Sequence, residues 1–82
     1  MLRPLSSAVP EEAMKIVSIL HEPRMAQRLS DLGFTPGECV SCVMKRRSGN
    51  ISAYLVRNTV IALRRAESSL ILAEPVSGEE SS

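Results

Sequence analysis

Hydrophobic and polar residues alternate along several short stretches of this chain. The alternation predicts β-strands, because side chains on a strand point to opposite faces in turn. Met14 and Ile16 share a face in one stretch, and Val40, Cys42 and Met44 share a face in the next. We predict five strands, namely residues 13–20, residues 38–47, a segment that contains Tyr54 and Val56, residues 60–64 and residues 70–73.

A different spacing marks a single helix between the first two strands. Met25, Leu29 and Leu32 recur at intervals of four and three residues, which places them on one side of a helix. Pro23 suits the first helical position because its missing N–H is not needed there. Glu22 precedes it and is therefore the predicted N-cap.

The sharpest change of direction follows this helix. A glycine directly after a helix adopts the left-handed conformation at no steric cost, so we expect Gly33 to end the helix. In this register Phe34 packs back against Leu29. Residues 35–38 have Pro and Gly at their second and third positions, which predicts a type II turn. We call residues 28–37 the corner.

The remaining turns complete the predicted fold. Residues 47–50 predict a hairpin, Asn58 a tight reversal and residues 65–68 one helical turn. The pattern predicts a mainly β fold with one α-helix between the first and second core strands, closed into a small barrel of about five strands. We assign residues 1–75 to one domain and expect residues 76–82 to form a disordered acidic tail.

The length and composition suit one core and no membrane span. The chain has 82 residues, of which 44% are hydrophobic. Phe34 and Tyr54 are its only aromatic residues, so aliphatic residues must fill most of the core, and we expect Leu2 and Leu5 to contribute. No apolar run reaches the roughly 18 residues of a span, and the N-terminus lacks a secretion signal. We expect a cytoplasmic protein with both cysteines as thiols.

Positive charge is concentrated in the predicted strands. The formal net charge is +1, but no acidic residue lies between Cys39 and Ala66. That stretch contains six of the ten basic residues, which are Lys45, Arg46, Arg47, Arg57, Arg64 and Arg65. Half of the sheet is therefore expected to present a basic surface.

Cys39 and Cys42 form a C-x-x-C pattern, which often indicates zinc or redox chemistry. On a strand, residues three apart point to opposite faces, so the two thiols could not share a metal. No second cysteine pair is available, and no helix begins at Cys39 to activate its thiol. We expect neither a metal nor a redox centre here.

His21 is the only histidine, and with Glu22 beside it could bind a divalent ion weakly. A solvated loop histidine is the more ordinary explanation, and we assign neither residue as a metal ligand. Assigning the single histidine to a solvated loop leaves no candidate for the usual general base. No catalytic grouping or phosphate-binding loop is visible in the sequence. The sequence predicts no enzyme, no catalytic residue and no cofactor.

Three interpretations of the basic strands remain open. They could form a solvated face, dock an acidic protein or anionic lipid headgroups, or bind nucleic acid. Nucleic acid is disfavoured because single strands stack on aromatic side chains, which are scarce here. Asp31 lies in the last helical turn, where the helix dipole disfavours an anion. We expect Arg28 or the backbone of the corner to compensate it.

Two motifs identify a family. The corner reads RLSDLGFTPGE and is followed by alternating V-x-C-x-M, then SGN and RNTVIALRR. This resembles the FeoA family, whose pattern is roughly R-L-x-D-L-G-hydrophobic-x-P-G with a late A-L-R, over residues 2–73. Gly49-Asn50-Ile51 replaces the family's G-D-P hairpin, and Asn58 replaces a glycine.

The resemblance implies an SH3-like barrel and an accessory role in bacterial ferrous iron uptake. FeoA-like proteins are small, cytosolic and without established enzymatic activity, and are thought to act on FeoB, the membrane permease with a cytosolic GTPase domain. The expected contact surface is the corner with the basic strands. Its candidate residues are Arg28, Asp31, Lys45, Arg46, Arg47 and Arg64.

Two alternatives stay open. The protein could be a regulator that binds a divalent transition metal, or an SH3-like docking module for another partner. Similar barrels form the C-terminal domain of iron-dependent repressors of the DtxR type, but the chain has no helix-turn-helix. Short exposed strand edges leave a homo-oligomer open as well.

Overall fold

A computed structural model describes residues 1–76, which form six strands, one main helix and two short helical turns. Residues 77–82, most of the predicted acidic tail, lie outside the described residues. The strands are β1 (Arg3–Pro4), β2 (Ala13–Ile19), β3 (Cys39–Lys45), β4 (Ile51–Val56), β5 (Thr59–Arg64) and β6 (Ile71–Pro75). The helices are a 3₁₀ turn (Leu5–Ser7), α1 (Pro23–Asp31) and α2 (Arg65–Ser68).

All strands belong to one antiparallel sheet in the order β1-β6-β2-β3-β4-β5. The predicted mainly β fold with one helix after the first core strand is confirmed. The closed barrel is not, because β1 and β5 remain edges of an open sheet and do not pair. The extra strand β1 has two residues and pairs with β6.

The N-terminal segment is held against the sheet by side chains of β3 and β4. Tyr54 of β4 donates its hydroxyl to the Leu5 carbonyl at 3.3 Å, and the Lys45 ammonium donates to the Ser6 carbonyl at 2.8 Å. Leu5 is fully buried as predicted, whereas Leu2 is 50% exposed and lies outside the core. The 3₁₀ turn is therefore anchored to β3 and β4 by side-chain hydrogen bonds.

The core lies on the concave side of the curled sheet. Phe34 and Tyr54 are both fully buried and meet edge to face, with ring centroids 6.4 Å apart. Burial raises the pKa of the Tyr54 phenol, because the charged form would lose its hydration. The aliphatic core residues around the two rings are Leu5, Met14, Ile16, Leu29, Val40, Val56, Leu63 and Ile71.

Two irregularities interrupt the predicted alternation. The pairing register shifts between Ile16 and Ser18 on β2, and again between Cys42 and Met44 on β3. Met44 is consequently 52% exposed instead of sharing the buried face of Cys42. An extra residue bends a strand and increases its twist, so these shifts help the sheet to wrap around its core.

Candidate functional site

Glu22 sets where α1 begins. Its two carboxylate oxygens accept hydrogen bonds from the backbone N–H groups of Arg24 and Met25, each at 3.0 Å. These are two of the donors that a helix N-terminus leaves without intrahelical partners. Pro23 occupies the first helical position. The predicted start of the helix is confirmed, and Glu22 serves it as a cap.

The corner is a Schellman motif, which fixes its geometry. The Phe34 N–H donates to the Leu29 carbonyl and the Gly33 N–H donates to the Ser30 carbonyl, both at 2.9 Å. Gly33 has φ +110°, a conformation that favours glycine. A β-carbon there would lie 3.1 Å from a methyl group of Val56. The corner therefore requires glycine for both its backbone conformation and its packing.

The second half of the corner is the predicted type II turn. The Glu38 N–H donates to the Thr35 carbonyl at 3.0 Å, and Gly37 has φ +93°. The Gly37 N–H also donates to the Ile16 carbonyl at 2.7 Å, which ties the turn to β2. The corner is thus held at both ends by backbone hydrogen bonds.

Arg28 and Asp31 are the exposed charged residues of the corner. Asp31 accepts a hydrogen bond from the Gln27 side-chain amide at 2.9 Å, one helical turn earlier. The expected compensation by Arg28 or by the corner backbone is not observed. Arg28 forms no ion pair within residues 1–76, and it lines a surface depression together with residues of β5.

Arg28 and Arg64 line the same depression on the surface. The depression lies between α1 and β5 and has a volume of about 460 Å³. We call it the arginine groove, and its lining residues are Arg28, Ile51, Ala62, Leu63, Arg64 and Glu67. Its apolar lining comes from β4 and β5, and its charges come from α1, β5 and α2.

Backbone contacts place the β3–β4 hairpin beside this groove. The Arg46 N–H donates to the Ile51 carbonyl at 2.9 Å, and the Arg65 N–H donates to the Asn50 carbonyl at 2.8 Å. Ile51 also pairs directly with Arg64 across the two strands. Arg46 and Arg65 therefore belong to the same positive end of the molecule as Arg64.

These arginines are not neutralised by neighbouring acids. Within residues 1–76 the ion pairs are Arg3–Glu12, with a 2.9 Å contact, and Arg57–Glu38, with a 3.4 Å contact. Glu67 lines the groove, but one of its oxygens accepts the Arg64 backbone N–H at 2.9 Å. The groove thus keeps a net positive charge.

Lys45 does not share this environment. Its ammonium donates to the Ser6 carbonyl, so it holds the N-terminal segment against β3. Arg46 and Arg47 at the hairpin are exposed. Of the six predicted contact residues, the structure brings Arg28 and Arg64 together, places Arg46 and Arg47 nearby, and directs Lys45 and Asp31 to partners within the chain.

The predicted metal candidates are also engaged within the chain. His21 is half-buried, and its Nε2 lies 2.7 Å from the Glu67 carbonyl of α2, which differs from the solvated loop histidine that we expected. Cys39 is exposed and Cys42 is buried, in agreement with their predicted opposite faces. In the described part of the chain, no three His, Cys, Asp or Glu residues are grouped to hold a metal.

Sequence reasoning found both groove arginines but not the groove. Ile51, Ala62 and Leu63 were not predicted to lie near Arg28, because the contact joins α1 to strands far along the chain. The hairpin pairing of Ile51 with Arg64 could have been derived from the turn at Asn58. Nothing local indicates that Arg28 of α1 lines the same depression as β5.

The family model of the FeoA domain matches residues 3–75. Among solved structures, the chain is 23% identical to the FeoA protein from Chlorobium tepidum, with a TM-score of 0.84 over 92% of this chain and 71% of that one. It is 31% identical to iron(II) transport protein A from Clostridium thermocellum, with a TM-score of 0.86 over 92% of this chain and 46% of that one.

A second group of solved structures shares the fold with less sequence similarity. A manganese-dependent transcriptional repressor is 12% identical, with a TM-score of 0.82 over 92% of this chain and 42% of that one. No curated protein sequence is detectably similar to the chain. No helix within residues 1–76 has the length and apolar character that crossing a membrane requires. The match over nearly all of the described fold is decisive, and the chain belongs to the FeoA domain family.

Proposed function

We propose that this protein is an accessory component of bacterial ferrous iron uptake that docks on the cytosolic domain of a FeoB-type permease. The FeoA domain match supports the role in ferrous iron uptake. The observation that carries the docking role is the juxtaposition of Arg28, held by a rigid corner, with Arg64 across an open groove. Charges without internal partners suit recognition of an oppositely charged surface.

A binding role fits the chemistry of this surface better than catalysis does. The only histidine contacts a backbone carbonyl, and the Cys42 thiol is buried. Burial raises the pKa of that thiol, which disfavours the reactive thiolate. The groove itself contributes arginines, aliphatic side chains and one capping carboxylate. We infer a non-enzymatic, cytoplasmic protein.

The docking surface in this proposal comprises Arg28, Arg46, Arg47 and Arg64. The other two predicted contacts have structural partners, since Lys45 binds the Ser6 carbonyl and Asp31 binds Gln27. Arg65 follows β5 directly, so we add it to this surface. Docking at this surface would leave the corner's backbone hydrogen bonds intact.

The test is a direct binding measurement between the purified protein and the cytosolic domain of the permease from the same organism. We expect binding in the micromolar range that weakens when Arg28 and Arg64 are both changed to Gln. Lys15→Gln, which removes a charge on β2 away from the groove, is the matched control. Absence of binding at high micromolar concentration, with an intact fold, would contradict the proposal.

The alternative of a metal-binding regulator has weaker support. The repressor that shares the fold is only 12% identical, a likeness that concerns the fold alone. Anaerobic calorimetry with Fe²⁺ separates the two proposals. A site tighter than micromolar would favour the regulator.

A further inference from the structure

One edge of the sheet runs along the arginine groove. β5 is the last strand in the sheet order, and within residues 1–76 it pairs only with β4. An unpaired edge presents a row of backbone donors and acceptors to any chain that can lie beside it. The groove lining includes Ala62, Leu63 and Arg64 of this strand.

The turn between β4 and β5 decides which backbone groups face outward. Arg57 and Asn58 have φ values of +50° and +63°, and they form a two-residue connection typical of a type I′ hairpin. Val56 and Thr59 flank it and are therefore a hydrogen-bonded pair. Hydrogen-bonded and open pairs alternate along an antiparallel ladder.

This alternation directs the backbone N–H and carbonyl groups of three β5 residues away from β4. Val60, Ala62 and Arg64 oppose β4 in the open pairs. A separate hydrogen bond supports this assignment of the pairs, because the Arg64 N–H donates to the Glu67 side chain and not to β4. The N–H and carbonyl groups of Val60 and Ala62 therefore point away from the sheet.

Charge lies on both sides of this edge. Leu63 is buried on the concave face, Arg64 is exposed, and Arg28 approaches from α1. Neither arginine forms an ion pair within the described part of the chain. An extended segment beside β5 would thus meet backbone hydrogen-bonding groups along its length and guanidinium groups at its side chains.

We propose that the arginine groove binds an extended acidic segment of a partner protein, which adds to β5 as a further strand. Backbone groups of Val60 and Ala62 would pair with the segment, and its carboxylates would reach Arg28 and Arg64. Strand addition supplies affinity through the main chain, and side-chain pockets supply specificity. This inference rests on the proposed docking function and states the chemistry of the docked segment.

The first experiment uses a designed probe, an acetylated and amidated peptide of sequence VEEVEEV. Its matched control, VQQVQQV, keeps the length and the strand propensity but lacks the charge. Both are titrated into the ¹⁵N-labelled full chain. We expect VEEVEEV to move the amide signals of Arg28, Val60 and Ala62, and to slow hydrogen exchange at Val60 and Ala62 about tenfold. VQQVQQV should bind at least about fivefold more weakly.

Protein variants and a modified peptide test the two parts of the recognition, which are the charge pairs and the backbone hydrogen bonds. Arg28→Gln and Arg64→Gln should each weaken VEEVEEV binding about fivefold, since each removes one charge pair. Lys15→Gln, which removes one positive charge on β2 outside the groove, should alter it less than twofold. A VEEVEEV peptide methylated at alternate backbone nitrogens should lose binding, because it cannot donate to the Val60 and Ala62 carbonyls.

Several results would overturn the inference. These are equal binding of the charged and uncharged peptides, signal changes confined to other strands, or binding of the methylated peptide. Binding to phosphatidylglycerol vesicles that is lost in Arg28→Gln, with no peptide binding, would show that the groove recognises headgroups instead.

The permease domain separates this inference from the proposed function. If the domain binds but Arg28→Gln and Arg64→Gln leave its affinity unchanged, the permease interaction stands, whereas the arginine groove as its docking surface and the acidic segment are both wrong. If VEEVEEV binds at β5 but the permease domain does not bind, the groove chemistry stands and the proposed function is wrong.

Discussion

The corner and the arginine groove meet at Arg28, yet they are built in opposite ways. The corner satisfies its own backbone, with Phe34 and Gly33 donating to the last turn of α1, and it buries Leu29 and Phe34. The groove leaves charged side chains of Arg28 and Arg64 without ion pairs in the described residues. The backbone groups that shape the corner have partners within the chain, whereas the two groove arginines have no ion-pair partner within residues 1–76.

This difference separates residues that hold the structure from residues available to a partner. A substitution in the corner should change the free energy of unfolding, whereas a substitution in the groove should change binding and leave folding almost unaffected. Exposed ion pairs contribute about 0–1 kcal/mol, and unpaired surface arginines contribute less. Four predictions follow this contrast, ordered by the size of the expected effect on stability.

Gly33→Ala should have the largest effect, lowering the free energy of unfolding by about 2–5 kcal/mol. The positive φ alone costs roughly 1–2 kcal/mol, and the added β-carbon would meet Val56 and Arg57 at 3.1 and 3.2 Å. Overpacking costs a further 1–3 kcal/mol, approximately. Gly49→Ala is the matched control, because φ is +80° there but nothing lies within 4 Å. Urea denaturation should show a larger loss for Gly33→Ala, and equal losses would refute the steric contribution.

Glu22→Ala should cost about 1 kcal/mol, the usual value of a helix N-cap. The change leaves the N–H groups of Arg24 and Met25 without the carboxylate that now accepts both. Arg24→Ala serves as the control and should alter stability by less than about 0.5 kcal/mol, as surface changes usually do. Chemical denaturation measures both changes. If Glu22→Ala leaves the free energy of unfolding unchanged, water replaces the cap.

The Arg3–Glu12 pair should make the stability of the protein depend on pH. The Arg3 guanidinium, followed by the Val9 N–H, holds the pKa of Glu12 below its usual range. A carboxyl whose pKa is lowered by folding stabilises the protein above the unfolded pKa of about 4.3, and this stabilisation is lost as pH falls through the folded pKa. Glu12→Gln should therefore flatten the loss of thermal stability between neutral and acid pH. An unchanged pH profile would contradict this account of the Arg3–Glu12 pair.

Arg28→Gln and Arg64→Gln should have the smallest effect on folding, within about 0.5 kcal/mol each. Both side chains are exposed, and neither forms an ion pair in residues 1–76. Thermal denaturation at low and high salt would check this result. A loss above 1 kcal/mol in either variant would mean that the groove, like the corner, contributes to the fold.

Local rules were sufficient for most elements. Pro23 with Glu22 marked the start of α1, Gly33 marked its end, and Asn58 marked the β4–β5 turn. Each of these depends on conformational preferences within a few residues. The two thiols lie on opposite faces for an equally local reason, since residues three apart on a strand point in opposite directions.

Features that depend on contacts between distant residues could not be predicted from the sequence in this way. The 3₁₀ turn at Leu5 is anchored to Tyr54 of β4, a contact between distant parts of the chain. The exposure of Met44 depends on a register shift against β4. Strand alternation in the sequence does not reveal where an extra residue will be accommodated.

By itself, the sequence determined the corner, the hairpins, the basic character of the strands and the membership of the FeoA family, because turns and caps depend on neighbouring residues. The tertiary structure decided what these elements do together. Within residues 1–76 it left β5 as a free edge, directed Lys45 and Asp31 to internal partners, and set Arg28 across a groove from Arg64. The groove joins residues of α1 and β5 that no local preference connects, and it brings their separate charges to one surface.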